Sequence, residues 1–252
     1  MYTKNNILSY IKNDIHNVII LNETDSTNNY AKENIEKLEA GSLVIAKKQI
    51  GGRGRRGRSF ISPEGGLYFS IITTADTSLC SGCFPTVVCA VSVCRAIEEC
   101  CGLSCDIKWV NDIYFNGKKL CGILCESTTV SDKIIIGIGI NINKPVNGFS
   151  KEISDIATAL SEHVESVDSS KLIAEVYNNI FNHSPDFNIK TVIDEYRMRS
   201  FILNKDIYVL KNEEKVKARA IEITDSGELT VKYPDNTKEN LFYGDISVKL
   251  NI

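Results

Sequence analysis

The segment from Gly51 to Arg58 constrains this chain more than any other part of its sequence. It reads Gly-Gly-Arg-Gly-Arg-Arg-Gly-Arg. Its glycines can adopt backbone conformations that other residues rarely adopt, and they let the backbone approach a ligand closely. Its four arginines can bind carboxylate or phosphate oxygens, but like charges this close together repel each other. We therefore expect a loop that is mobile when empty and that an anionic ligand orders.

Length and charge limit the class of protein. The 252 residues suffice for one sizeable core and a small second domain, and 43% of them are hydrophobic. The net charge of −3 makes the basic loop a local feature, which argues against general nucleic-acid binding. The first residues lack the apolar core of a signal peptide, and no apolar stretch reaches the length of a membrane span. We expect a cytoplasmic protein with no membrane partner.

The cysteines are unusually clustered. All nine lie between Cys80 and Cys125, and an odd number without a secretory signal indicates free thiols in a reducing compartment. Cys80 and Cys83 have the spacing of a metal or redox pair, but no second such pair and no group of histidines completes a zinc site. We interpret the cysteines as small buried apolar side chains, with a metal or redox role as the alternative, and predict no metal site.

Residues 18 to 200 read as mixed strands and helices. Strands are predicted at 18–21, 43–46, 67–73, 106–110, 120–126 and 133–141, and helices at 28–40, 85–101, 169–182 and 191–200. The pair Asn116-Gly117 predicts a hairpin. Strands clustered in hairpins, with helices elsewhere, predict an α+β fold whose sheet is mixed or antiparallel and flanked by helices.

The sequence changes character at about Phe201. From there we predict four short strands, at 206–210, 215–224, 228–233 and 240–248. Short strands joined by turns are typical of a small β-barrel. We therefore divide the chain into a main domain, residues 1–200, and a C-terminal β domain, residues 201–252.

Four motifs follow one another in the main domain. They are Asp25-Ser26-Thr27-Asn28, Gln49 with Gly52 to Arg58, Lys108-Trp109-Val110-Asn111-Asp112 with Lys118 to Leu124, and Gly137 to Asn143. Together they resemble those of biotin–protein ligases, and the resemblance extends over nearly the whole chain. It implies the class II synthetase-like catalytic fold of biotin and lipoate ligases for residues 1–200, and an SH3-like β-barrel for residues 201–252.

The resemblance also implies a reaction in two steps. The biotin carboxylate attacks the α-phosphate of ATP, which gives biotinyl-AMP and pyrophosphate. A lysine of a biotin carboxyl carrier protein domain then displaces AMP. ATP is expected to bind as its Mg²⁺ complex, in which phosphates and water hold the ion, so no dedicated set of protein ligands is expected for Mg²⁺.

Three residues carry catalytic roles by this resemblance. Lys119 would bridge the biotin carboxylate and the α-phosphate, and Arg55 would neutralise these anions. Asp112 would orient the nucleotide or accept a proton from the incoming lysine, and a simple turn aspartate is the alternative reading. Lys118 and Arg56 are expected to face solvent.

Other residues are expected to bind the two substrates. The biotin-binding set is Ser26, Thr27, Asn28, Gln49, Gly52, Arg53, Gly54, Arg55, Trp109, Lys119 and Gly122. The ATP-binding set is Arg55, Arg58, Asn111, Lys119 and Asn141. The ureido ring of biotin needs donors and acceptors in an apolar pocket, and Ser26, Thr27 and Gln49 would supply them. A plain helix N-cap is the alternative for Ser26 and Thr27.

The chain departs from the family pattern in two places. Val110 stands where a proline is usual, and we expect little change because valine also keeps an extended backbone. Only residues 1–17 precede the first predicted strand, where repressor-type members carry a DNA-binding domain. We therefore expect no specific DNA partner. Members of the family often dimerise, so a homodimer is compatible with the resemblance.

Two other functions remain as alternatives. A lipoate–protein ligase would share the catalytic fold, but the Gly/Arg segment and the C-terminal β domain favour biotin. A nucleic-acid-binding module would use the arginines and the terminal barrel. The acidic net charge and the lack of aromatic residues among the arginines count against it.

Overall fold

A seven-stranded mixed sheet forms the larger part of the fold. The computed structural model describes residues 2–74, 84–128, 131–181, 188–211, 214–242 and 247–250. The strands are β1 Val18–Thr24, β2 Leu43–Gln49, β3 Leu67–Thr74, β4 Asp106–Lys108, β5 Asp112–Phe115, β6 Lys118–Ser127 and β7 Lys133–Ile140. Their order is β1-β2-β3-β7-β6-β5-β4, with β1 and β2 parallel and the other neighbours antiparallel. The predicted α+β class with a mixed sheet is confirmed.

Helices cover both faces of this sheet. They are α1 Lys4–Tyr10, α2 Thr27–Glu33, α3 Phe84–Cys101, α4 Ser169–Ile180 and α5 Ile189–Arg199. Successive side chains of β2 point to opposite faces of the sheet, and each face has its own buried cluster. Leu43 and Ile45 pack with α3 on one face, while Val44 packs beneath α2 on the other. α3 is buried along most of its length because α4 and α5 also pack against it.

Several predicted boundaries are wrong. α2 ends at Glu33 rather than at residue 40, and α1 was not predicted. Asp168 caps α4, because its carboxylate accepts hydrogen bonds from two backbone N–H groups of the first turn. The strand predicted at 106–110 ends at Lys108, and Trp109 and Val110 lie in a turn, joined by a cis peptide bond.

A second sheet follows in the C-terminal part of the chain. Its strands are β8 Asp206–Lys211, β9 Glu214–Ile223, β10 Leu229–Lys232, β11 Lys238–Leu241 and β12 Ser247–Leu250. They are antiparallel in the order β11-β10-β9-β8-β12. The single strand predicted at 240–248 is wrong, since β11 and β12 divide it. The domain boundary at residue 201 stays a prediction.

The two sheets share one hydrophobic core. Ile207 and Val209 of β8 belong to the same buried cluster as Trp109 of the main sheet. The indole Nε1 of Trp109 donates a hydrogen bond of 2.9 Å to the carbonyl of Gly227, in the turn before β10. The C-terminal sheet therefore packs directly behind the turn that carries Trp109.

The predicted hairpin between β5 and β6 is present. Asn116 and Gly117 both have positive φ, 49° and 74°, as a type I′ turn requires. Within the residues that the structure describes, no helix is long and apolar enough to cross a membrane.

The structure describes seven of the cysteines, and each of the seven is a thiol outside any disulfide bond. Burial raises the pKa of Cys100 and of Cys105 to about 12, so both stay protonated at neutral pH. This environment supports the interpretation of small apolar side chains. The Cys80 and Cys83 pair lies outside the described residues.

Candidate active site

A cleft of about 1000 Å³, open to solvent, gathers residues from all four motifs. Predicted site residues in its lining are Ser26, Thr27, Asn28, Gln49, Arg53, Gly54, Arg55, Arg58, Trp109, Asn111, Asp112, Lys119 and Gly122. The N-terminus of α2, the end of β2, the Gly/Arg loop, the β4–β5 turn and strands β6 and β7 carry this lining. Segments far apart in sequence therefore meet at one site.

Two predicted site residues lie outside this lining. Gly52 packs beneath its own loop, where a Cβ atom would collide with the carbonyl oxygen of Phe60. A glycine is therefore required at this position for contact between two parts of the loop, and its contact with biotin stays a prediction. Asn141 donates a hydrogen bond of 2.9 Å to the carbonyl of Thr158, so its amide is engaged with a neighbouring loop. Direct contact with the nucleotide stays a prediction for Asn141.

The Gly/Arg segment forms a tight hairpin. Arg53 and Ser59 pair as an antiparallel bridge, and the N–H of Gly54 donates to the carbonyl of Arg58 at 2.7 Å. A 3₁₀ turn at Arg55–Gly57 forms the tip. The loop thus has a defined fold of its own, and its ordering by an anion stays a prediction.

The arginines of the loop have different surroundings. Arg55 is half-buried, and its Nη1 donates to Oδ1 of Asn111 at 3.2 Å. The Nη1 of Arg53 donates to Oδ1 of Asn29 at 2.7 Å, which ties the base of the loop to α2. Arg56 at the tip is exposed. Arg55 is therefore held in the cleft, while Arg53 anchors the loop.

Lys119 and Asp112 form an ion pair inside the cleft. The Lys119 Nζ lies 2.7 Å from Oδ1 of Asp112, and both side chains are less than one-third exposed. The pairing of β5 with β6 sets Asp112 opposite Gly122 and Lys119 opposite Tyr114, so the two side chains meet diagonally across the strand pair. The same Nζ lies 5.7 Å from the ring centre of Phe60. A cation is thus held beside an aromatic ring and a carboxylate, where it can reach an anionic ligand.

Polar groups cluster where α2 begins. The backbone N–H of Thr27 donates to Oε1 of Gln49 at 2.8 Å, and Nε2 of Gln49 donates to Oγ of Ser62 at 2.9 Å. Ser26 occupies the N-cap position of α2, yet its hydroxyl makes no capping hydrogen bond. The capping alternative therefore fails for the Ser26 side chain, which lines the cleft instead.

Sequence reasoning missed Ser70, Glu126 and Phe60. The Oγ of Ser70 is fully buried, 2.6 Å from Oδ1 of Asn28 and 2.7 Å from Oγ1 of Thr27. Glu126 accepts a hydrogen bond from Nδ2 of Asn28 at 2.8 Å. Ser70 interrupts an apolar strand and Glu126 directly follows an apolar run within its strand, and a polar residue at either place was a usable signal.

Phe60 lies across the floor of the cleft. Its ring packs against Gly122 and Gly139, where a Cβ atom on Gly139 would overlap the ring. The ring also meets Tyr68 edge to face, with 6.4 Å between centres. These two glycines therefore make room for an aromatic side chain in the cleft.

Gly137 makes room for Asn28 in the same way, because a Cβ atom there would overlap the Asn28 amide. We expect Gly137→Ala to lower the free energy of unfolding by about 1–3 kcal/mol, the usual cost of overpacking a buried site. It should also weaken ligand binding, since Asn28 lines the cleft. Chemical denaturation and calorimetric titration measure the two effects.

A double variant checks the cause. Adding Asn28→Ala to Gly137→Ala removes the overlap, so the double variant should be less destabilised than the sum of the two single changes. Additive losses of stability would show that the overlap with Asn28 is not the reason.

The fold and the cleft define a catalytic domain of the kind found in biotin and lipoate ligases. Residues 20–143 match the sequence profile of the Biotin/lipoate A/B protein ligase family. The solved structure of a biotin protein ligase from Aquifex aeolicus in complex with biotin and ATP is 30% identical, with a TM-score of 0.79. The match covers 94% of this chain and 100% of that one. The chain belongs to this family, and the resemblance drawn from the four motifs is confirmed.

Curated relatives agree with this assignment. The bifunctional ligase/repressor BirA of Bacillus subtilis (strain 168) is 36% identical over 228 residues, which cover 82% of this chain and 66% of that protein. A biotin–[acetyl-CoA-carboxylase] ligase of Paracoccus denitrificans is 33% identical over 128 residues, which cover 49% of this chain and 53% of that protein. This chain thus matches only part of the length of both relatives.

Proposed function

We propose that this protein is an ATP-dependent biotin–protein ligase. It activates biotin as biotinyl-AMP and transfers the biotinyl group to a lysine of a biotin carboxyl carrier protein domain. The observation that carries the proposal is the cleft itself, which joins a polar cluster around Thr27 to the cations Lys119 and Arg55. Biotin has a polar ureido ring at one end and a carboxylate at the other, and this arrangement complements both ends.

Adenylation requires two anions to approach each other. Arg55 and Lys119 reduce the repulsion between the biotin carboxylate and the α-phosphate, and contacts with Asn111 and Asp112 hold these two cations in the cleft. Lys119 exchanges its contact with Asp112 for the oxygens that gain charge as the new P–O bond forms. Pyrophosphate leaves with the electrons of the bond that breaks.

Transfer requires a neutral amine. The carrier lysine attacks the carbonyl carbon of biotinyl-AMP, AMP leaves, and the amine loses a proton. Asp112 is the acidic side chain among the described residues that line the cleft, so it is the natural acceptor of this proton. Mg²⁺ enters bound to the ATP phosphates, and Asp112 and Asn111 are the side chains that would contact its water shell.

The decisive test is incubation with radiolabelled biotin, MgATP and a biotin carboxyl carrier domain. We expect label on the carrier, and none on a carrier whose acceptor lysine is replaced by arginine. Transfer of lipoate with no transfer of biotin would assign the lipoate ligase alternative instead. No transfer of either would contradict both.

The loop provides a separate prediction. Biotin together with ATP should slow tryptic cleavage after Arg53, Arg55, Arg56 and Arg58, because their anions neutralise the repulsion among these residues. Mass spectrometry of the fragments locates the cuts, and cleavage elsewhere in the chain is the internal control. Equal cleavage of the loop with and without ligands would contradict ligand-driven ordering.

A further inference from the structure

Glu126 lies behind the polar cluster of the cleft and receives three donors. Its carboxylate accepts from Nζ of Lys32 at 2.6 Å and from Nδ2 of Asn28 at 2.8 Å, and Nη2 of Arg53 lies 3.4 Å away. Burial opposes ionisation of Glu126, but these partners outweigh it and lower the pKa of the carboxyl. Glu126 is therefore a carboxylate at neutral pH, and a carboxylate can only accept hydrogen bonds.

This carboxylate sets the orientation of the Asn28 amide. The Nδ2 group lies between two oxygens that cannot donate, the Glu126 carboxylate at 2.8 Å and the carbonyl of Leu124 at 3.2 Å. A flipped amide would place its own oxygen against both of them. The Asn28 Oδ1 therefore points to Ser70, whose Oγ lies 2.6 Å away.

The orientation of the Asn28 amide determines the direction of the hydrogen bonds from Asn28 through Ser70 to Thr27. Ser70 has one hydroxyl proton, and it goes to Oδ1 of Asn28 because a carbonyl oxygen cannot donate. The Thr27 hydroxyl lies 2.7 Å from Oγ of Ser70 and 3.3 Å from Oε1 of Gln49, so its proton goes to one of these two acceptors, and the shorter contact favours Ser70. Thr27 is left with an oxygen lone pair and no proton to offer, and it lines the cleft.

We infer that Glu126 acts as a positioning residue that makes the Thr27 hydroxyl an acceptor for a ureido N–H of biotin. Each bond in the chain from Glu126 through Asn28 and Ser70 to Thr27 has one allowed direction, and the ligand N–H completes it. Asn28 and Ser70 are at most 3% exposed, so water does not compete for these bonds. The inference rests on the proposed function, since it concerns how biotin is recognised.

Glu126→Gln tests the direction of the chain. A glutamine has nearly the same shape, but its amide can donate to the Asn28 oxygen and so favours a flipped Asn28 amide, which only the longer contact with the Leu124 carbonyl, at 3.2 Å, then opposes. A flipped amide donates to Ser70, which lets Thr27 become a donor. The ligands are biotin and its two cyclic carbamate analogues, each with one ureido N–H replaced by oxygen. Wild type should bind one analogue on the order of tenfold more weakly than biotin. The variant should bind biotin more weakly and should lose most of this discrimination.

Ser70→Ala tests the same chain at a second point. Without the Ser70 hydroxyl, Thr27 keeps only the longer contact to Oε1 of Gln49, at 3.3 Å, and can turn its proton toward the ligand, so the discrimination should again fall. Glu33→Gln is the matched control, because Glu33 is an exposed carboxylate on α2, and it should behave as wild type. Circular dichroism and the ATP KM, which should stay within about twofold of wild type in all variants, verify that the fold is intact.

The outcomes separate the two proposals. Equal discrimination in wild type, Glu126→Gln and Ser70→Ala would overturn the inference while leaving biotin as the substrate. Parallel losses for biotin and both analogues would also overturn it, since they would indicate a general structural role. A wild-type protein that binds none of the three compounds would contradict the proposed function and this inference with it.

Discussion

Replacing Lys119 with alanine should slow biotinyl-AMP formation by roughly 10²- to 10³-fold, the usual effect of removing one group that stabilises charge in a transition state. The Lys119 ammonium stands 2.7 Å from Asp112, where it can turn to the oxygens that gain charge. A second effect adds to the first, because the Asp112 carboxylate would lose its counterion and repel the approaching phosphates. Pyrophosphate release with biotin and MgATP measures the rate.

The neighbouring lysine provides the control. Lys118 is exposed on the same strand, so Lys118→Ala changes the net charge equally and should leave the rate within about twofold. Supplying preformed biotinyl-AMP to Lys119→Ala should restore much of the transfer to the carrier. A normal adenylation rate in Lys119→Ala would remove this residue from the catalytic step.

Arg55→Ala should lower kcat/KM for ATP by roughly 10²-fold, again as the loss of a fixed charge beside the reacting phosphate. Arg55 is half-buried, and Asn111 accepts a hydrogen bond from its guanidinium at 3.2 Å. Its charge is therefore held in a fixed place within the cleft. Arg56 is exposed at the tip of the loop, and Arg56→Ala should change kcat/KM by less than about threefold.

The comparison between these two arginines distinguishes two roles of the loop. If the loop attracts anions only through its total charge, both variants lose activity equally, and high salt removes the difference from wild type. If placement of Arg55 matters, its variant stays impaired at all salt concentrations. Equal losses in both variants would contradict the placement of Arg55 as the reason.

Much of the fold was predictable because local signals were strong. The apolar runs gave the strands of the main sheet, and Asn116-Gly117 placed the hairpin between β5 and β6. The predicted strand bounds were wrong where the end of one strand and the start of the next lie close together in the sequence. Residues 240–248 read as one strand, although β11 ends at Leu241 and β12 begins at Ser247.

The cleft was predictable to a similar extent. Residues within one motif, such as Asn111 at the end of a turn and Asp112 at the start of β5, are chain neighbours and so arrive at the site together. Asn141 is the counterexample, since it follows the Gly-x-Gly strand directly but its amide bonds to Thr158. Sequence adjacency placed the backbone of Asn141 near the site, but packing with another loop decided where its side chain points.

The sequence by itself determined the family of this protein and the chemical character of its cleft. The Gly/Arg loop and the Lys119 segment require particular residue types at fixed short spacings, and such information is local. Only the tertiary structure brought Asn28, Ser70 and Glu126 together, from a helix and two strands that are not sheet neighbours. The direction of a hydrogen bond depends on which donors and acceptors surround each group in space, and no spacing along the chain records that.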